Sequence, residues 1–70
     1  MEFINVQSAI ALDKLVLEFD QAIGRMIAYK RLAGRSNDPY EVAAMQSLIA
    51  AEKAEAASLR RSIDELTKGL

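Results

Sequence analysis

One stretch constrains this chain more than any other: Gly34-Arg35-Ser36-Asn37-Asp38-Pro39, set between two long segments of the same helical periodicity. Pro39 is the only proline. Its missing N–H and fixed φ suit the first turn of a helix and disrupt every later turn. Asp38 can cap that turn, and Glu41 stands where a capping box places its acid. Gly34 follows an apolar-periodic run and suits the left-handed residue that closes a helix. The stretch therefore predicts a helix over 6–33, a turn over 34–38 and a helix over 39–68. Asn5 is the expected cap of the first helix, with Ser8 as the alternative. Gly69 is a second terminator at the far end.

Within each segment the apolar residues recur three and four apart. Leu12, Leu15, Phe19, Ala22, Met26, Tyr29 and Ala33 form the first row, which Val16, Ile23 and Ile27 widen. Val42, Met45, Ile49, Glu52, Ala56, Leu59, Ile63, Leu66 and Leu70 form the second, broken only by Glu52. Rows of this kind are the seams of helices that cross at a shallow angle. The loop between them is too short for anything but an antiparallel neighbour. Folding about that loop sets Ala33 opposite Val42, Met26 opposite Ile49, Phe19 opposite Ala56, Leu15 opposite Leu59 and Leu12 opposite Ile63. Charges support the plan: Asp13, Glu18 and Asp20 precede Arg25, Lys30 and Arg31 in the first segment. Asp38 and Glu41 open the second, which Lys68 closes, so each set opposes the helix dipole favourably. The expected fold is all-α, an antiparallel coiled-coil-like hairpin in a single 1–70 domain, assembling as a dimer into a four-helix bundle.

Composition explains why assembly is expected. A chain of 70 residues buries little core and usually needs a staple. With no Cys and no His, disulfides and the commonest transition-metal ligands are gone, and a partner chain is the remaining staple. The same absences remove the usual proton shuttle and thiol nucleophile. Asp13 and Asp20 lie a heptad apart on one flank, as on a solvated face, and Glu52 alone makes no carboxylate metal site. No enzyme, cofactor or metal is expected. A net charge of −1 sets no field toward nucleic acid or anionic lipid. No apolar run reaches membrane-spanning length, and Glu2 and Asp13 stand where a signal peptide needs a clean apolar stretch. The expected setting is cytoplasmic.

Two surface features remain. Ile10, Leu17 and Leu32 fall on the side of the first helix away from the seam, bridged by the small Gly24 and Ala28, and suggest a second contact surface. Gln21 and Arg25 would form its polar rim. Glu52, mid-stripe, would fix register or partner choice if buried, whereas Lys30 near its helix end suits a snorkelling side chain. Arg25, Lys30, Arg31 and Arg35 make a basic cluster, read either as dipole compensation or as a phosphate grip. Ala43, Ala50, Ala54 and Ala57 line one flank of the second helix, read either as helix propensity alone or as a smooth flank that lets another helix approach closely.

The layout resembles that of small helical hairpins that dimerise into four-helix bundles, such as the plasmid copy-number RNA-binding proteins. It also resembles the hairpin chaperones of type III secretion needles, and compact phage-encoded inhibitors share its size. The resemblance covers length and plan, shares no motif, and transfers no residue role. Taken together, the residues point to a non-enzymatic protein-binding module acting on itself, another protein, or both. The alternatives are a nucleic-acid-binding hairpin dimer gripping phosphates through the basic cluster, and a structural assembly subunit.

Overall fold

The computed structural model describes residues 6–68. It holds two helices, α1 (Val6–Arg35) and α2 (Pro39–Thr67), joined by residues 36–38 and packed against each other along the hairpin. Among the described residues there is no strand. Asn5, Gly69 and Leu70, which the sequence assigns to a cap, a terminator and the end of the seam, lie outside the described residues.

The heptad rows become the interface. Every described member of both rows is buried or half-buried, from Leu12 to Ala33 on α1 and from Val42 to Leu66 on α2. Deepest are Ala22, Ala56 and Leu59. Two of these three are alanines, because small side chains let the helix backbones approach while Phe19 and Met26 fill the layers beside them. Val16 and Ile27 do not widen the seam as expected. They are 41% and 46% exposed. A helix turns about 100° per residue, so they sit beyond the arc that a single neighbouring helix can cover. Ile23 alone of the three is half-buried.

The turn corrects two expectations. Gly34 is helical rather than a left-handed terminator, and α1 continues through Arg35. No described glycine has a positive φ. The helix instead ends by tightening, with the Ser36 N–H donating to the Ala33 carbonyl at 3.3 Å. The cap of α2 is also built differently. Asp38 holds extended backbone and its carboxylate accepts from the Tyr40 N–H at 2.9 Å, with Pro39 in the first turn. The Asp38 carbonyl accepts the first helical bond, from Val42. The Asp38 N–H, which a capping box would offer to Glu41, donates to the Ser36 hydroxyl at 3.1 Å. At the far end α2 stops at Thr67, whose hydroxyl donates to the Ile63 carbonyl at 2.9 Å, and Lys68 lies in a turn beyond it.

The hairpin is a rod of 57 × 14 × 14 Å with a radius of gyration of 16.2 Å. A compact domain of this length would have about 11 Å. Its accessible surface is 5534 Å², roughly 1,200 Å² more than a folded monomer of this mass normally exposes. Two helices alone leave much of their apolar surface in water. No helix of the described residues is long and apolar enough to cross a membrane.

Because Gly34 is helical and a Cβ added there meets nothing within 4 Å, Gly34→Ala should stabilise the fold by about 0.5–1 kcal/mol, a rise of several degrees in melting temperature. A fall on thermal denaturation would show that the chain needs a left-handed residue at this position after all.

Candidate protein-interaction surface

On α1, Ile10, Leu17 and Leu32 point away from α2 and are 63%, 57% and 47% exposed. Gly24 and Ala28 lie between the two leucines, also exposed, and the space over Gly24 is open for at least 4 Å around a notional Cβ. Val6 extends the row toward the start of the helix and is 74% exposed. Gln21 stands at its margin, solvent-facing. The structure thus places these residues on one outward face, along the side of the rod that no other described part of the chain covers.

Arg25 is not a rim of that face. It turns across the seam, and its Nε donates to Glu52 Oε1 at 2.8 Å. The Glu52 side chain is 18% exposed and that of Arg25 46%. Glu52 therefore belongs to the hairpin's own interface, the position its place in the stripe implied. The other carboxylate oxygen, Oε2, is buried and has no hydrogen-bond partner. Sequence reasoning named both residues and missed that they meet. The signal was present in the register, since Met26 opposite Ile49 sets position 25 level with position 50, two residues from position 52 and within reach of a long side chain. The hydrogen bond to Glu52 and its negative charge hold the Arg25 guanidinium above its ordinary pKa, against a smaller opposing effect of burial. A cation raised in this way contributes fully below its ordinary value and loses the contribution only as pH climbs through the raised one. On the arginine side the crosslink is therefore constant across the neutral range.

The basic cluster does not form one patch. Arg25 is engaged by Glu52. Lys30 and Arg31, adjacent in sequence, point about 100° apart around the helix. Lys30 instead lines a groove between the helices, together with Phe19, Ile23, Met26, Ile49, Lys53, Ala56, Ala57 and Arg60. Its volume is about 450 Å³. The expected pairs Phe19–Ala56 and Met26–Ile49 lie in its walls together, which supports the register drawn from the loop. Lys53 and Arg60 had no place in the sequence reading, because they are scattered among alanines and gather with Lys30 only once the hairpin closes. Among the described residues no group of three or more acidic side chains is arranged to hold a metal ion.

No family model, curated protein or solved structure matches this chain. Function has to be argued from its own surfaces.

Glu52 offers a direct check on the interface. Replacing a shielded carboxylate that has one unpartnered oxygen by an apolar group of similar reach removes a desolvation cost. Glu52→Leu should raise stability by about 1 kcal/mol, several degrees in melting temperature. Arg25→Met, which leaves the carboxylate shielded without its cation, should lower the melting temperature. Two unchanged melting curves would mean that Glu52 is solvated and the crosslink immaterial.

Proposed function

We propose that this chain is a non-enzymatic protein–protein interaction module that works by laying the outward face of α1 against a second helical surface, masking or bridging its owner. Adaptors, inhibitors and chaperones all use this physics. The observation that carries the reading is the row Ile10, Leu17 and Leu32, large apolar side chains left in water on the side of the rod away from α2. Single exposed leucines are ordinary. A row of them on a rod with roughly 1,200 Å² of surplus surface is the signature of an unfilled interface. Burying each leucine is worth roughly 1.5–3 kcal/mol, a large fraction of the stability a two-helix chain can have.

The first occupant to consider is a second copy, and charge favours it. The first half of α1 carries Asp13, Glu18 and Asp20 against one base, Lys14, while the second half carries Arg25, Lys30, Arg31 and Arg35 with no acid. An antiparallel second α1 sets the acidic half against Arg31 and Arg35 of the basic half and joins two hairpins through their α1 helices. The open space at Gly24 allows close approach. With Arg25 tied to Glu52 and Lys30 turned into the groove, no observation favours the phosphate-gripping reading.

The test separates the two faces of α1. Leu17→Glu should leave helix content nearly intact and abolish one association, read by circular dichroism and size-exclusion chromatography. Leu15→Glu, in the half-buried seam, should unfold the chain. Equal unfolding by both would mean that the faces are misassigned. A Leu17→Glu protein with unchanged assembly and unchanged partner capture would mean that the outward row is not an interface.

A further inference from the structure

The groove between the helices carries a pattern that the outward face of α1 does not. Its floor is apolar, built by Phe19, Ile23, Met26 and Ile49, and the charged groups along it are three cations, Lys30, Lys53 and Arg60. Among the described residues no acidic side chain lines it, and none of the three cations is in an ion pair. We propose that this groove is the docking site for an acidic amphipathic helix of another protein, one that carries acids on both flanks of its apolar stripe.

The spacing of the cations selects a helix. With Phe19 level with Ala56 and Met26 level with Ile49, Lys53 stands level with Ala22 and Arg60 with Leu15. At 1.5 Å per residue, Lys30, Lys53 and Arg60 then follow one another along the rod at intervals of about 12 and 10.5 Å. Those intervals are about two helical turns, with Lys30 on the α1 edge and Lys53 and Arg60 a heptad apart on the α2 edge, so a helix laid along the groove meets them with its two flanks. They also exceed the screening length of about 8 Å at physiological ionic strength, so each cation needs its own counter-charge. One carboxylate or phosphate headgroup cannot meet three charges spread over some 22 Å, which counts against a small amphipathic anion. A nucleic-acid strand would leave the apolar floor uncovered. A second copy laid symmetrically on the groove would gather six cations, with no acid among the lining residues to offset them. An acidic helix meets both features: its apolar stripe covers Phe19, Ile23 and Ile49, and its acids meet the ladder.

This surface is distinct from the outward row of α1, so the two assignments can fail separately. The probe is a fluorescently labelled synthetic helix of about three heptads with leucine on one stripe and glutamate on both flanks of it. Its control carries lysine in place of glutamate. Binding to the full chain is read by anisotropy, with a labelled single-stranded oligonucleotide and decanoate as competitors. The glutamate helix should bind, and the lysine helix should not. The triple reversal Lys30→Glu, Lys53→Glu, Arg60→Glu involves only exposed residues, and its helix content can be confirmed by circular dichroism. It should weaken the glutamate helix at least tenfold and capture the lysine helix. Leu17→Glu should bind the glutamate helix as the parent chain does. Indifference to peptide charge, unchanged binding by the triple variant, or preferential occupation by the oligonucleotide or decanoate would overturn the proposal. So would loss of the chain's own association in the triple variant, since the groove would then belong to a second copy.

Discussion

Everything in this molecule depends on one seam. Two rows of side chains, spaced three and four apart, are buried or half-buried along the hairpin, from Leu12 to Ala33 on α1 and from Val42 to Leu66 on α2. The seam decides that the segments are helices, because neither has enough packing elsewhere to support 29 or 30 helical residues. It decides that they run antiparallel, because only three residues, Ser36 to Asp38, connect them. It also decides what remains outside: a helix with one neighbour can shield about one stripe, and residues at other angles stay in water whatever their chemistry.

The seam is thin. Ala22, Ala56 and Leu59 are its only buried described members, and a charged group, Glu52, occupies its middle. The Arg25 guanidinium makes that charge tolerable but leaves one oxygen unpartnered. A pair of this kind costs stability and fixes alignment, since sliding either helix by a turn would strand the carboxylate among apolar neighbours. The hairpin therefore combines a well-defined register with modest intrinsic stability. This combination fits the association proposed for the outward row of α1.

The parts of this fold that were legible in the sequence are those set by local periodicity. Each described seam position follows from spacing alone, and the start of α2 follows from Asp38 and Pro39. Three features were not legible, for three physical reasons. The end of α1 was placed at Gly34 because glycine often closes helices, yet its helical cost of about 1 kcal/mol is small enough for the packing of Ala33 and the Ser36 turn to override. The Arg25–Glu52 crosslink joins residues far apart in sequence and needs the register before it can be seen. The Lys30, Lys53 and Arg60 ladder needs the register as well, and in sequence its members look like three unrelated surface charges. The outward row of Ile10, Leu17 and Leu32 was legible as a face, because helical angle alone places it, but its occupant is not written in any local pattern.

The thin seam and the surplus surface lead to one quantity above the others, the dependence of stability on concentration. Thermal unfolding of the unmodified chain, followed by circular dichroism from about 1 µM to about 500 µM with the molar mass measured by light scattering, reads it directly. A melting midpoint that climbs with concentration, alongside a mass of at least twice 7.7 kDa, is the expected result. A sharp transition at one temperature throughout that range, from a fully helical species of monomer mass, would contradict it and show that the two-helix seam is sufficient by itself.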